Sequence, residues 1–366
     1  MSLRAVSECE FASDFISFLK FPEGALQTGM RRPSPLPICA SSGRSVSFHA
    51  ENCTSLQKAP IQLLTTDHSQ QITMSIEGKH HDIYPAIDPS NPSSGLANAA
   101  EGRTVIITGA GRGIGRSIAL NHAKANAKII VLAARTASQL TEVAEEIKKI
   151  NEGIKILEVE TDITDASSVK NLIEKAVQAT GNDGLYTLFN NAGILEPNLT
   201  IAESDPDTWF KTWEVNLKST YLPTHYLLPR LSPTTPKPHY IINTSSIGSR
   251  GTRAGFSAYQ PSKTAINRFT AFLDTEHHVS HNLITFAVHP GGVMTELARE
   301  SMPKDTWGLL CDTPELMGGF GVWVGSGACD WARGRYLECN WDVEEIGSKK
   351  GEVEGGSEWG RTIVVV

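Results

Sequence analysis

Residues 104–120 read TVIITGAGRGIGRSIAL: a β-branched apolar run, a glycine-rich loop and then a helical pattern. Glycine lets the backbone of such a loop approach a pyrophosphate at the N-terminus of the helix that follows. Strand, loop and helix stand in the order that dinucleotide binding requires. We therefore predict that this loop binds a nucleotide. Its predicted cofactor-binding residues are Gly109, Gly111, Arg112, Gly113, Ile114 and Gly115.

The same alternation continues along the chain to about residue 345. Short apolar runs alternate with helical stretches, and the predicted strands are TVIIT, KIIVLAA, IKILEVE, LYTLFNN, HYIINTSS, LITFAVHP and GRYLECN. Such a pattern favours right-handed βαβ crossovers and a parallel sheet that is covered on both faces. The sequence predicts an α/β fold, a doubly wound parallel sheet of Rossmann type, in a single domain over residues 101–346.

The two ends of the chain have a different composition. Residues 1–100 are rich in Ser, Pro and polar residues without sustained periodicity, which predicts a disordered N-terminal extension. Met74 is an alternative start, so residues 1–73 could be an artefact of the gene model. Residues 347–366, which include GSKKGEVEGGSEWG, are predicted to form a flexible tail.

Composition excludes several classes of function. The 366 residues carry 33 basic and 40 acidic side chains, a net charge of −7 without a basic cluster, so we expect no nucleic-acid partner. No apolar run is long enough for a membrane helix. The six cysteines form no C-x-x-C pair and have no zinc-ligand spacing, so neither a metal nor a disulfide is expected. Acidic residues near the N-terminus argue against a secretory signal, and we predict a cytoplasmic protein.

The end of the second predicted strand bears on cofactor choice. An acid about 20 residues beyond the glycine loop would bind the ribose diol of NAD. The sequence there is Ala133, Ala134 and Arg135, which has no carboxylate. Arg135, assisted by Arg112, could pair with the 2′-phosphate of NADP, although both could instead face solvent. NADP(H) is therefore favoured over NAD(H).

The stretch SAYQPSKTAI places Tyr259 and Lys263 one helical turn apart. Residues four apart lie on the same face of a helix, so the two side chains can meet. A nearby cation favours the phenolate, and such a Tyr could exchange a proton with a substrate. Taken alone, the pair could equally be a surface feature.

The context of this pair is more specific. TGAGRGIG, DIT, NNAG, NTSS, YQPSK and HPGG occur in an order and spacing that resemble those of the short-chain dehydrogenases/reductases, over about residues 102–345. The resemblance implies an oxidoreductase that interconverts a carbonyl and an alcohol. The chain is also similar to filamentous-fungal reductases, which points to secondary metabolism.

The resemblance assigns four catalytic roles. Tyr259 resembles the general acid/base, and Lys263 would lower its pKa and bind the nicotinamide ribose. Ser246 would polarise the substrate carbonyl, with its neighbour Ser245 as the second candidate. Asn216 would hold a water for a proton relay, or else be a core residue that bends its helix.

The resemblance also extends the cofactor site. Asp162 would meet the adenine edge, although an Asp after a strand can also cap a helix. The other positions implied, beside Tyr259 and Lys263, are Asn191, Ala192, Gly193, Pro290, Gly291, Val293 and Thr295. Residues 294–322 correspond to a variable substrate lid, whose Trp307, Leu309, Leu310 and Phe320 could line a pocket or be core.

The family resemblance implies a small-molecule substrate and a homodimer or homotetramer. Two other readings stay open. One is a nucleotide-binding scaffold or redox sensor without turnover, which the intact Ser246, Tyr259, Lys263 and Asn216 disfavour. The other is a different substrate class, such as an alcohol or polyol with NAD, or a C=C bond.

Overall fold

A parallel sheet of seven strands lies at the centre of the computed structural model, which describes residues 76–181 and 184–363. The strands are β1 (Arg103–Thr108), β2 (Ile129–Ala134), β3 (Lys155–Glu160), β4 (Leu185–Asn190), β5 (His239–Thr244), β6 (Leu283–His289) and β7 (Arg335–Glu338). Their order is β3-β2-β1-β4-β5-β6-β7, and each neighbouring pair is parallel. The predicted doubly wound fold and its strands are confirmed.

Helices cover both faces of the sheet. They are α1 (Gly113–Lys124), α2 (Ala137–Ile150), α3 (Ala166–Thr180), α4 (Pro206–Leu227), α5 (Tyr259–His277), α6 (Glu296–Ser301), α7 (Pro314–Val324), α8 (Val343–Ser348) and α9 (Lys350–Glu354). Along β1, Val105 and Ile107 join the core under α1, α2 and α7, whereas Ile106 joins the core under α3 and α5. This alternation puts apolar side chains on both faces of every central strand.

The strand order places a switch point between β1 and β4. After β1 the chain adds β2 and β3 on one side of β1, and it then adds β4 to β7 on the other side. The loops after β1 and β4 therefore diverge. Ligands bind at such a point, beyond the carboxyl ends of the strands. The glycine loop and the NNAG sequence both follow strands at this edge.

Residues 76–100 differ from the predicted disorder. Ile87 is fully buried and Leu96 nearly so, and both belong to the core beneath α7. The backbone N–H groups of Lys79 and His80 donate to the carbonyl of Asn340, at 2.9 and 3.2 Å. We call residues 76–100 the N-terminal strap. Its apolar anchors are too sparse to show periodicity, and Lys79 and His80 have partners more than 200 residues away, so the prediction missed the segment. The expectation for residues 1–73 lies outside the described residues.

The C-terminal residues also differ from the expected flexible tail. Helices α8 and α9 continue the domain, and Trp359 is 1% exposed. Its carbonyl accepts a hydrogen bond from Arg335 Nη1 at 2.5 Å, and the N–H of Tyr336 donates to Gly360 O at 2.7 Å. These contacts attach residues 359 and 360 to β7, which the glycine-rich sequence of the tail did not indicate.

The predicted lid of residues 294–322 divides into two parts. Helix α6 and the 3-10 helix Lys304–Leu309 lie over the cavity described below, whereas α7 packs against α1 as core. Phe320 is accordingly 0% exposed, while Leu309 is 66% exposed and lines the cavity with Leu310. Trp307 donates its indole N–H to Met302 O at 3.2 Å.

The predictions on membrane helices and on cysteines can be compared with the structure only over the described residues. Within residues 76–181 and 184–363, no helix is both long and apolar enough to cross a membrane. Cys311, Cys329 and Cys339 are free thiols. The remaining cysteines, at positions 9, 39 and 53, lie outside the described residues.

Candidate active site

The glycine loop closes tightly on itself at the end of β1. Gly109 and Gly113 have φ of +68° and +53°, the left-handed region that favours glycine. A Cβ at Gly115 would lie 2.2 Å from the carbonyl oxygen of Gly109, so α1 can approach the loop only with glycine at that position. Such a bare-backbone cradle at the start of a helix fits the pyrophosphate of a dinucleotide.

Side chains from β1 and β4 hold this loop in place. Thr108 Oγ1 accepts hydrogen bonds from the N–H groups of Asn191 and Ala192, at 3.0 and 3.1 Å. The amide of Asn191 donates to the carbonyl of Thr108 at 2.9 Å. Asn191 therefore supports the cradle through the backbone.

The cationic side chains proposed for the adenosine end lie at the rim of the site. Arg135 is exposed, and its charge helps to lower the pKa of the Asp162 carboxyl, after the larger effect of the Thr164 hydroxyl that donates to it. Arg112 forms an ion pair with Glu296 of α6, joining the glycine loop to the lid. Asp162 does not cap α3, because Asp165 accepts from the first N–H groups of that helix.

Asn216 lies behind the site, fully buried in α4. Its Oδ1 accepts from the N–H of Ile194 at 2.9 Å, and its Nδ2 donates to Ile194 O at 3.1 Å and to Ser262 Oγ at 3.0 Å. A Cβ at Gly193 would lie 3.1 Å from Asn216 Oδ1 and 3.6 Å from Lys263 Nζ. Gly193 thus leaves the space between Asn216 and Lys263 open.

The two serine candidates point in different directions. Ser245 is 1% exposed, and its hydroxyl donates to Asn267 Oδ1 at 2.6 Å, in the protein interior. Ser246 Oγ accepts from the N–H of Gly248 at 3.0 Å, and Ser246 lines the cavity with Tyr259, whose pKa it helps to lower. The geometry therefore favours Ser246 as the residue that meets a substrate carbonyl.

Lys263 is 4% exposed and lies beside Tyr259 on the inner face of α5. Its ammonium donates to the carbonyl of Thr244 at 2.8 Å and lies 5.5 Å from the centroid of the Tyr259 ring. Burial lowers the pKa of Lys263 to about 8.

The pKa of Tyr259 differs from the expectation. Burial raises it, the hydrogen bond with Ser246 opposes that rise, and the charge of Glu196 adds to it. Burial therefore outweighs the expected lowering by Lys263, whose ammonium donates to Thr244 O.

The loop after β6 is fixed by a residue that sequence reasoning missed. Asp312 Oδ2 accepts from the N–H of Gly292 at 2.5 Å and from Asn340 Nδ2 at 3.0 Å, while Oδ1 lies 2.6 Å from Nδ1 of His81 in the N-terminal strap. Thr295 caps α6 by accepting from Ala298 N at 3.2 Å. The strap and the lid therefore both support this loop.

One cavity of about 1190 Å³ joins these features. All of the predicted site residues line it except Asn216, which lies behind its wall. They are Gly109, Gly111, Arg112, Gly113, Ile114, Gly115, Arg135, Asp162, Asn191, Ala192, Gly193, Ser246, Tyr259, Lys263, Pro290, Gly291, Val293 and Thr295.

Comparison with known proteins agrees with this geometry. The family model for short chain dehydrogenases matches residues 103–306. Short chain dehydrogenase mpl6 of Monascus purpureus is 39% identical over 284 residues, which cover 77% of this chain and 93% of that protein.

The chain belongs to the short-chain dehydrogenase family.

As a short-chain dehydrogenase, it is an oxidoreductase that acts on CH–OH or C=O groups and binds a nicotinamide dinucleotide. Short chain dehydrogenase tazN of Aspergillus terreus is 38% identical over 75% of this chain and 58% of that protein. The predicted likeness to filamentous-fungal reductases is thereby confirmed.

Solved structures share the fold of this short-chain dehydrogenase. A 3-ketoacyl-(acyl-carrier-protein) reductase from Brucella melitensis in complex with NADH is 26% identical, covers 65% of this chain and 97% of its own, and has a TM-score of 0.58. A short chain dehydrogenase from Shigella flexneri in complex with NADP has a TM-score of 0.58 at 24% identity, over 66% of this chain and 99% of its own.

Sequence reasoning also missed Glu196, a buried acid directly after the NNAG loop. It is 5% exposed and accepts hydrogen bonds from the backbone at the start of α5. An acidic residue between apolar neighbours in ILEP is the signal that could have identified it.

Proposed function

We propose that this short-chain dehydrogenase is an NADP(H)-dependent reductase that interconverts a ketone or aldehyde and the corresponding alcohol. The observation that carries the proposal is that Ser246, Tyr259 and the buried Lys263 line one cavity together with the glycine loop. A bound NADPH supplies the hydride. The residues of the chain supply the binding site and the proton.

The roles of the side chains follow from their chemistry. The Ser246 hydroxyl donates to the carbonyl oxygen and polarises it. The Tyr259 phenol, kept protonated by burial, donates a proton to that oxygen as negative charge develops on it. Lys263 places a cation nearby, which favours the phenolate left behind. The open space beside Gly193, Asn216 and Lys263 supports a water that returns the proton from solvent.

A panel of ketones, quinones and aldehydes with NADPH tests the reaction. Deuterium at C4 of NADPH should appear at the carbinol carbon of the product, measured by mass spectrometry, because the hydride is transferred directly. NADPH binding without turnover on any substrate of the panel would favour the scaffold or sensor alternative. A role in secondary metabolism stays a prediction.

NADP(H) preference rests on the end of β2. Ala134 and Arg135 line the cavity, and neither is an acid that could bind a ribose diol. Arg135 is exposed and could pair with a 2′-phosphate. Replacing Ala134 with Asp should lower kcat/KM for NADPH by about tenfold or more, through charge repulsion, and favour NADH.

Two further variants sharpen the cofactor test. Arg135→Met should also lower kcat/KM for NADPH, whereas Arg230→Met, an exposed arginine outside the cavity, should not. An unchanged NADPH/NADH ratio in both Ala134→Asp and Arg135→Met would reject the preference and leave an NAD-dependent alcohol or polyol dehydrogenase.

A further inference from the structure

Helix α5, which carries Tyr259 and Lys263, begins without a capping side chain of its own. Its N-cap residue is Ala258, whose methyl group cannot accept a hydrogen bond. The first N–H groups of a helix have no acceptor inside the helix, so a start that is shielded from water needs one from elsewhere.

Glu196 supplies that acceptor from the loop after β4. Its Oε1 accepts from the N–H of Ala258 at 2.9 Å and from the N–H of Tyr259 at 3.0 Å, across 62 and 63 residues of sequence. The positive end of the helix dipole favours a carboxylate at this place. The contact ties the backbone of Tyr259 to the NNAG loop.

The loop that carries Glu196 is itself fixed. The amide of Asn216 binds both the N–H and the carbonyl of Ile194, and the hydroxyl of Ser301 donates to Leu195 O at 3.2 Å. The two residues before Glu196 are therefore held by hydrogen bonds to Asn216 and Ser301, which fix the position of Glu196.

The second oxygen of Glu196 is not needed for the cap. Oε2 is buried and has no hydrogen-bond partner among the described residues, and a glutamine would provide the one acceptor that α5 uses. What a carboxylate adds is a negative charge at the backbone of Tyr259, which opposes ionisation of the phenol. Lys263 is a cation beside Tyr259 and Ser246 is neutral, and the cations Lys211 and Arg253 line the same cavity.

We propose that Glu196 is a positioning residue for the acid–base step, holding the backbone of Ala258 and Tyr259 through one hydrogen bond each and placing a negative charge at the start of α5. The consequence is a Tyr259 that keeps its proton to higher pH, which favours carbonyl reduction. This inference rests on the proposed role of Tyr259 in proton transfer.

The ionisation of Tyr259 can be measured without turnover. In protein labelled with 3-fluorotyrosine, Tyr259→Phe identifies the Tyr259 resonance among those of the 7 tyrosines, and its ¹⁹F shift is followed against pH. Glu196→Gln should lower the midpoint by about half a pH unit or more, because it removes the charge and keeps the acceptor. Glu203→Gln, an exposed acid of the same loop, should leave the midpoint unchanged. Equal midpoints in both variants would overturn the proposal.

Steady-state kinetics separate the effect of the Glu196 charge from the effect of its hydrogen bonds to α5. Glu196→Gln should keep the plateau kcat of carbonyl reduction and the first fall in kcat near pH 8, which follows Lys263. It should move to lower pH the second, more alkaline fall, at which Tyr259 ionises. Glu196→Ala, which also removes the acceptor, should lower kcat by about tenfold with KM for NADPH unchanged. A Glu196→Gln profile that superimposes on the parent profile would reduce Glu196 to a structural cap. Turnover that survives in Tyr259→Phe would instead reject the proposed function, and the ¹⁹F result would still decide the effect of Glu196.

Discussion

At the scale of single residues, burial controls the protonation of the site. It lowers the pKa of Lys263 to about 8 and raises the pKa of Tyr259. Both shifts disfavour the charged form, as expected for groups removed from water. The phenol is therefore available as a proton donor, and the charge of its neighbour depends on pH near neutrality.

Reduction should fall as pH rises past about 8, where Lys263 loses its proton. The lowered pKa means that the ammonium, which favours the departing phenolate, is present in full only below that pH. In Lys263→Met this alkaline limb should disappear and kcat should be low at every pH from 6 to 10. Lys170→Met, an exposed lysine of α3, is the matched control. A parent profile that stays flat from pH 7 to 10 would contradict this assignment.

Individual residues show where sequence reasoning reaches its limit. Tyr259, Lys263 and Ser246 were predictable because local spacing and a family resemblance fix their positions. Glu196 and Asp312 were not, because each acts on backbone that is distant in sequence and fits no short motif.

At the scale of secondary-structure elements, the junction of β1 and α1 contains a position that fits only glycine without a shift of the loop. Gly115→Ala would place a methyl carbon 2.2 Å from Gly109 O, so the loop must shift. We expect the Kd for NADPH, measured by fluorescence titration, to rise about ten- to hundredfold.

Gly347→Ala is the matched control for that substitution. Gly347 lies in α8 with nothing within 4 Å of its ideal Cβ, and the change should leave NADPH binding and folding intact. Equal Kd values for Gly115→Ala and the parent would show that the loop tolerates the added carbon and does not cradle the cofactor.

The elements that could be predicted share one property. The seven strands and α1 to α3 carry local periodicity, which follows from burial on one or both faces. The N-terminal strap, α8 and α9 lack it, because their few apolar anchors are buried by contacts that form only in the folded domain. Helix α7 was assigned to the lid from the family resemblance, whereas Gly318 and Gly319 let it pack closely on α1 and the strap.

At the scale of the whole molecule, α4 and α5 present aromatic side chains to solvent. Phe210 and Tyr221 of α4 are 66% and 50% exposed, and Phe272 of α5 is 54% exposed. Exposed aromatic side chains contribute to protein interfaces where they lie together in a patch. They support the homodimer or homotetramer that the family resemblance implied.

Phe272→Glu should therefore shift the protein toward monomer. The test is sedimentation velocity at micromolar concentration, where the parent should sediment as a dimer or tetramer and the variant more slowly. Ile150→Glu, on α2 and 39% exposed, should leave the assembly unchanged. A parent that sediments as a monomer would reject the predicted oligomer.

The most direct test of the central claim is NADPH oxidation by the parent protein and by Tyr259→Phe, with the same carbonyl substrate. Phe keeps the ring and removes only the hydroxyl of the residue that lines the cavity with Ser246. The account predicts that kcat falls about 10²- to 10⁴-fold while the Kd for NADPH stays within about twofold. Comparable kcat values in the two proteins would contradict the role of Tyr259 as the proton donor.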